Sequence, residues 1–261
     1  MMPNNRIAHM INNQKNKTML ITGVSGLLGS NLAYYFRKKY DLVGIFNHHP
    51  VKVDGVQMMN ADVTNIVMVK SLLNDIKPDI IIHCAALSRP DECEVDRQLA
   101  QRSNVLATKN IMETIKDMPI KLIYTSTDAI FDGKKGNYQE NDKPNPPHFY
   151  GRTKYQAELE VLRNKQAIIA RINIFGWNVQ DKHSLAEWVI HELSSKRPIM
   201  GFTDAFFSSI YTFKLAELFD VALNKNIAGI YHFCSRDSMS KYQFAQRLAE
   251  LFGLDKDFKI T

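Results

Sequence analysis

The chain has 261 residues, of which 45% are hydrophobic and 23% are charged, and its formal net charge is +6 at pH 7. This composition is typical of a globular protein and excludes a disordered or collagen-like chain. The length suits one large domain, or one domain with a smaller lobe.

The cysteine content and the hydropathy of the chain indicate the cellular compartment of the protein. Cys84, Cys93 and Cys234 form no CxxC pair and are too few for a disulfide framework, so we expect reduced thiols, no metal site and a cytoplasmic protein. No apolar run approaches the roughly 20 residues that span a bilayer, and the N-terminus lacks the apolar stretch of a signal peptide. Residues 1–17 are rich in Asn and Lys and are predicted to be a disordered tail.

After the tail, short apolar runs alternate with segments of helical spacing. Strands are predicted at 19–21, 42–46, 56–58, 80–84, 120–124 and 167–170, and helices at 27–39, 64–75, 104–116 and 150–163, with Thr64 as an N-cap. This alternation predicts a parallel sheet that is covered by helices on both faces.

The alternation of strands and helices becomes less regular from about residue 173. Helices are predicted at 185–194, 213–223 and 241–252, with a strand at 230–233. We therefore expect an α/β chain with a doubly wound domain over 18–172 and a smaller lobe over 173–261.

A glycine-rich turn, Gly23-x-x-Gly26-x-x-Gly29, joins the first predicted strand to the first helix. Such a turn lets the backbone approach a pyrophosphate at the positive end of the helix dipole. Glycines also occur in purely structural turns, but the strand-turn-helix context favours nucleotide binding.

The end of the second strand bears on the choice of dinucleotide. It carries Asn47 and His48, with Lys52 beyond, and lacks the carboxylate that usually binds the ribose of NAD. These side chains could hydrogen-bond or pair with a 2′-phosphate. We therefore expect NADP as the cofactor, with NAD as the alternative.

Two further patterns could carry chemistry. Tyr150 and Lys154 are four residues apart in a predicted helix, so both can point into one space, and a nearby ammonium would lower the phenol pKa. By itself this spacing is more often that of a surface pair. Residues 124–128 close the fifth strand with hydroxyl groups, which could hold a substrate oxygen or simply bond the backbone there.

Taken together, these residues resemble the extended short-chain dehydrogenase/reductase family. The family's motifs appear in order as the glycine turn, Asp62-Val63 after the third strand, His83-Cys84-Ala85-Ala86 after the fourth, Asn104 in the next helix, the strand 124–133, and Tyr150 with Lys154 and Glu158. The resemblance implies a Rossmann-type doubly wound parallel sheet with a smaller C-terminal α/β substrate lobe, and it makes Tyr150 and Lys154 functional residues.

The resemblance also assigns roles. It implies catalysis by Thr127, Tyr150 and Lys154. It implies cofactor contacts by Gly23, Ser25, Gly26, Leu27, Leu28, Gly29, Asp62, Val63, Cys84, Ala85, Ala86, Asn104, Tyr150 and Lys154, beside Asn47 and His48. Candidate substrate contacts are Ser88, Arg89, Asp128, Asn173, Tyr211 and Arg236, each of which equally suits a surface or structural polar residue.

Within the family the chain is most similar to dTDP-4-dehydrorhamnose reductases, through Ser126-Thr127-Asp128 with Phe131 and Gly133. The implied activity is NADP(H)-dependent reduction of a 4-keto nucleotide sugar. Ala129 replaces their usual Tyr, and it excludes a dehydratase, which needs Thr-Asp-Glu there. The sequence also lacks their Arg-Pro-containing C-terminal segment, so either the protein is shortened or its lobe is small.

Two alternative functions stay open. One is a non-catalytic regulatory subunit that binds NADP, because residues 83–91 resemble the beta subunit of methionine adenosyltransferase. The other is a sugar-nucleotide epimerase. Dimers are common in the family, so a homodimer is a candidate assembly. Three of the six net charges come from Arg6, Lys15 and Lys17, and the modest remainder suits a phosphorylated small molecule, with no need for nucleic acid or a membrane.

Overall fold

The computed structural model describes residues 16–254. Residues 1–15 of the predicted tail and the last seven residues of the predicted lobe lie outside the described residues. The Lys17 carbonyl already accepts a hydrogen bond from the Asp41 amide, at 3.1 Å.

A seven-stranded sheet forms the centre of the molecule. Its strands are β1 (Thr18–Thr22), β2 (Asp41–Phe46), β3 (Gln57–Asn60), β4 (Ile80–His83), β5 (Lys121–Thr127), β6 (Ile168–Ile172) and β10 (Gly229–Phe233). They lie in the order β10-β6-β5-β4-β1-β2-β3, and every neighbouring pair is parallel. The predicted doubly wound parallel sheet is confirmed.

Helices cover both faces of the sheet. They are α1 (Leu27–Phe36), α2 (Ile66–Ile76), α3 (Pro90–Val95), α4 (Arg97–Ala100), α5 (Ala107–Ile115), α6 (Phe149–Val161), α7 (Leu185–Ser194), α8 (Thr212–Asn224) and α9 (Lys241–Leu251). One apolar core packs α1 and α8 against the sheet, and a second packs α2, α5 and α6 against the opposite face. Because both faces are covered, the strands are continuous apolar runs such as Ile80-Ile81-Ile82.

A third apolar core holds the smaller lobe together. It joins α7 to α9 through Val189, Leu193, Phe244 and Leu248. Two short two-stranded sheets complete the lobe: β7 (Ile174–Phe175) with β9 (Ile210–Tyr211), and β8 (Phe206–Phe207) with β11 (Met239–Ser240). The lobe follows β6, yet the chain returns to the main sheet as β10.

Two local predictions are corrected. Thr64 does not cap α2; the Asn65 side chain does, accepting from the amides of Val67 and Met68 at 3.0 and 3.2 Å. The helix predicted at 104–116 is regular only as α5, because residues 101–106 form a wider π-helical turn that continues from α3 and α4. No expectation had been placed on α3 and α4.

The strand order positions the site. From β1 the chain moves outward through β2 and β3, and then it crosses back to β4 on the other side of β1. The chain therefore leaves β1 and β4 toward opposite sides of the sheet, and this topology places a crevice at the carboxyl edge. Ligands bind at this switch point in open α/β sheets.

Candidate functional site

The glycine turn after β1 packs tightly against the loop after β4. Gly23 has a φ of +67°, and a Cβ there would lie 2.6 Å from the Ala85 amide nitrogen. A Cβ on Gly29 would lie 2.3 Å from the Gly23 carbonyl oxygen. Only glycine fits either position, since the first has left-handed backbone and both lack room for a methyl group.

The turn leaves the start of α1 open. Gly26 is its N-cap, and no side chain of the described residues caps the helix there. Free amide groups and the helix dipole make such an end suited to a phosphate. Ser25 and Leu27 are half-buried beside it, whereas the Leu28 side chain packs in the core, so Leu28 could offer a ligand only its backbone.

The predicted cofactor residues after β2 and β3 lie on one side of the crevice, where the adenine half of a dinucleotide is expected. Asn47 and His48 are exposed, and the Asn47 carbonyl accepts a hydrogen bond from the Asn60 side chain. Val63 is buried and Asp62 half-buried, with the Asp62 carboxylate accepting from the Thr64 amide at 2.9 Å. The exposed side chains that directly follow β2 are therefore neutral or basic.

Asn104 holds the loop after β4 to the catalytic-motif helix α6. Its side-chain oxygen accepts from the Leu87 amide at 2.7 Å, and its side-chain nitrogen donates to the Leu87 carbonyl at 3.1 Å and to the Thr153 hydroxyl at 2.9 Å. The wide turn at 101–106 aims this buried side chain between the two elements. Asn104 thus fixes the distance from residues 84–86 to α6.

Thr127, Tyr150 and Lys154 come together at the end of β5. The Thr127 hydroxyl accepts from the Ala129 amide at 3.1 Å and is within hydrogen-bonding reach of the Tyr150 phenol. The Lys154 ammonium is buried above the Tyr124 ring, 4.3 Å from its centroid, and close to Cys84. A hydroxyl, a phenol and an amine therefore line one wall of the crevice.

The electrostatics of this wall differ from expectation. Burial raises the pKa of Tyr150 to about 12, against the hydrogen bond from Thr127, which lowers it. Burial also lowers the pKa of Lys154 to about 8, although Cys84 and Glu158 favour its charged form. The predicted lowering of the phenol pKa by Lys154 is wrong for this structure, because the amine is turned toward Tyr124 and Cys84.

A buried ion pair supports α6 from beneath. The Glu158 carboxylate accepts from the Ser126 hydroxyl at 2.5 Å and from two Arg171 nitrogens at 3.1 and 2.9 Å. Both ionic side chains are almost fully buried. The sequence motifs include Ser126 and Glu158 but not this contact between them. Arg171 was not foreseen, and its signal is a charged residue in the otherwise apolar strand β6.

The predicted substrate residues are only partly brought together. The Asn173 side chain donates to the Asp128 carboxylate at 2.8 Å, beside Thr127. Tyr211 belongs to β9 and stacks on Phe213. Arg89 is exposed and paired with Glu92 at 2.9 Å, and Ser88 and Arg236 are exposed.

The parallel sheet, the open glycine turn and the tyrosine-lysine helix are those of the extended short-chain dehydrogenases/reductases. Within that class the chain belongs to the family described as the RmlD substrate binding domain, which it matches over residues 17–260. Within the described residues, no helix is both long and apolar enough to cross a membrane.

Solved structures and relatives in sequence resemble the chain over most of its length. A hypothetical dTDP-4-dehydrorhamnose reductase from Sulfolobus tokodaii superposes with a TM-score of 0.84 at 28% identity, over 94% of this chain and 85% of that one. A dTDP-4-dehydrorhamnose reductase from Bacillus anthracis, in complex with NADP, gives 0.81 at 26% identity, over 94% and 83%. Methionine adenosyltransferase 2 subunit beta of Xenopus tropicalis is 31% identical, over 90% of this chain and 72% of its own length.

Proposed function

We propose that the protein reduces the keto group of a 4-keto nucleotide sugar with NADPH. The observation that carries this proposal is the wall formed by Thr127, Tyr150 and Lys154 beside the open N-terminus of α1. A reducing site needs a place for a dinucleotide and a proton donor next to it. Residues 18–172 contain candidates for both, and we assign the sugar nucleotide to the lobe that follows.

The residues divide the work as follows. When bound, the reduced nicotinamide supplies the hydride. The Thr127 hydroxyl orients the substrate carbonyl, and Tyr150 donates the phenolic proton to the oxygen as negative charge develops there. The Lys154 ammonium holds the nicotinamide ribose through hydrogen bonds. The Asp128–Asn173 pair contacts the sugar hydroxyls.

The high phenol pKa fits this direction of reaction. With a pKa of about 12, Tyr150 carries its proton at neutral pH, so it acts as an acid without prior protonation. A site that oxidised an alcohol would instead need the phenolate. The buried surroundings of Tyr150 therefore keep on the phenol the proton that reduction of a ketone consumes.

NADP is the cofactor that the adenine side favours. Asn47 and His48 follow the end of β2, and neither repels a 2′-phosphate. The B. anthracis reductase, at 26% identity, was crystallised with NADP. We expect NADP to raise the melting temperature more than NAD at equal concentration, because the ligand bound more tightly stabilises the native state more.

The catalytic assignment is tested by Tyr150→Phe, with Tyr155→Phe on the same helix as the matched control. We expect NADPH oxidation with dTDP-4-dehydrorhamnose to fall about 10²- to 10⁴-fold in the first variant, since the proton donor is lost. Turnover in the control should stay within about 3-fold, as for a residue outside the chemistry. Equal turnover in both variants would remove Tyr150 from the mechanism.

A second candidate function is an NADP-binding subunit that assembles with another enzyme. It is favoured by the 31% identity to methionine adenosyltransferase 2 subunit beta over 90% of the chain. Affinity purification from the native host separates the two proposals. A stoichiometric partner, together with no NADPH oxidation on keto nucleotide sugars, would support the subunit.

A further inference from the structure

A run of buried hydrogen bonds lies beneath the crevice, and the proposed mechanism makes no use of it. Thr22 ends β1, His83 ends β4, and Thr108 lies on α5; each is 1% exposed. The Thr22 hydroxyl lies 2.6 Å from His83 Nδ1, and the Thr108 hydroxyl lies 3.1 Å from His83 Nε2. The imidazole therefore bridges two strands of the sheet and the helix above them.

The neighbouring bonds determine the direction of each proton in this run. The Thr108 hydroxyl donates to the Asn104 carbonyl at 2.7 Å, so it accepts from His83 Nε2–H. The Ala85 amide donates to the Thr22 oxygen at 3.3 Å, and the Thr22 proton is then free to go to His83 Nδ1. Only the neutral Nε2–H tautomer satisfies every donor in the run.

Charge supports the same assignment. Burial, and then the nearby Lys154 ammonium, lower the pKa of His83 to about 3. The imidazole stays neutral over the whole working range of the protein. It can therefore keep one donor and one acceptor in fixed places.

Both ends of the run reach the proposed cofactor site. At one end is the Ala85 amide, in the loop that packs on Gly23. At the other end is Asn104, whose side chain bonds Leu87 and Thr153, the residue before Lys154. A rearrangement at His83 would therefore move the loop 84–87 relative to α6.

We infer that His83, held as the neutral Nε2–H tautomer between Thr22 and Thr108, is a positioning residue that sets the cofactor-facing loop 84–87 against α6. The inference rests on the proposed function only in that this loop faces a dinucleotide. His83 itself touches neither cofactor nor substrate. Its effect is expected in the affinity for NADPH and in the placement of Lys154.

The tautomer is tested on the unmodified chain by NMR with ¹⁵N-labelled histidine, the His83 signals being those lost in His83→Asn. We expect a neutral ring protonated at Nε2 that does not titrate between pH 5.5 and 8. A ring protonated at Nδ1, or one that titrates in this range, would overturn the inference. This measurement needs no enzymatic activity.

The positioning role is tested by Thr108→Val, with Thr114→Val as the matched control. Both threonines donate to the carbonyl four residues earlier on the same helical stretch, at 2.7 and 2.8 Å, but only Thr108 accepts from His83. We expect the dissociation constant for NADPH to rise about 3- to 10-fold in Thr108→Val, the effect of one lost hydrogen bond. The control should bind as the unmodified protein does.

Thr108→Ser provides the rescue, because it restores the hydroxyl without the methyl group. We expect NADPH affinity to return to within about 2-fold of the unmodified protein, as a restored hydrogen bond predicts. Equal binding by all three variants, or a defect that serine does not repair, would contradict the inference. If the unmodified chain bound no NADPH, the proposed function would fail, while the tautomer measurement would still decide the state of His83.

Discussion

Lys154 places an ionisable amine in the interior of the protein, above the Tyr124 ring. Its side chain is 3% exposed, and burial lowers the pKa of Lys154 from 10.5 to about 8. The unfolded chain therefore binds this proton more tightly than the folded one. Replacing the amine with an apolar group of similar length, as in Lys154→Met, should stabilise the protein while it abolishes function.

The size of the gain follows from the shift in pKa. Each unit is worth about 1.4 kcal/mol, so a fall from 10.5 to about 8 corresponds to about 3 kcal/mol at pH 7. The cation–π contact with Tyr124 offsets about 1 kcal/mol of this. We expect the free energy of unfolding of Lys154→Met to exceed that of the unmodified protein by about 2 kcal/mol at pH 7.

The sign of the pH dependence is fixed by the same shift. A lysine whose pKa is lowered on folding destabilises the native state most below the folded value, and the penalty fades as pH rises toward 10.5. The advantage of Lys154→Met should therefore shrink by about 1 kcal/mol between pH 7 and pH 9.

Urea unfolding at both pH values measures this difference. The control is Lys109→Met, at an exposed position on α5. Its free energy of unfolding should lie within about 0.5 kcal/mol of that of the unmodified protein. NADPH binding is measured in parallel and should be lost in Lys154→Met alone. A variant no more stable than the unmodified protein at pH 7, or a difference that does not change with pH, would show that burial of the Lys154 amine does not destabilise the native state.

Two further substitutions test the supports of the site. Glu158→Gln keeps the shape of the side chain but leaves the buried Arg171 guanidinium without a charged partner. We expect it to lower the free energy of unfolding by about 3–5 kcal/mol in urea titrations. A loss below about 1 kcal/mol, the range of surface pairs, would mean that the pair behaves as an exposed one. Gly23→Ala should abolish NADPH binding and lower the melting temperature more than Gly133→Ala does. Both glycines have positive φ, but of the two only Gly23 has no room for a Cβ. Equal effects of the two substitutions on the melting temperature would show that backbone strain, and not the contact with Ala85, causes the loss.

Much of the fold could be predicted from the sequence, because its strands and helices have distinct apolar spacing. Runs such as Ile80-Ile81-Ile82 stand out, and α6 begins within one residue of its predicted start. The helices α3 and α4 escaped prediction, because they bury little besides Cys93 and Ala100 and show no apolar periodicity.

The sequence names the residues of the candidate site but does not predict how their side chains are arranged. Glycine spacing and the Tyr150–Lys154 interval are local patterns, and strand ends place them at one edge. Which group faces which depends on tertiary packing. The Lys154 amine lies above the Tyr124 ring and does not point to the Tyr150 phenol. The hydroxyl partners of His83, Thr22 and Thr108, lie about 60 and 25 residues away in the chain.

The most direct test of the proposed reaction follows the hydride itself. The full chain is incubated with NADPH deuterated at the nicotinamide C4 position and with dTDP-4-dehydrorhamnose, and the sugar product is analysed by mass spectrometry and NMR. We expect one deuterium on the former carbonyl carbon in the product of the unmodified protein, and no labelled product from Tyr150→Phe. NADPH that binds but is not consumed, with the keto sugar recovered unlabelled, would contradict it.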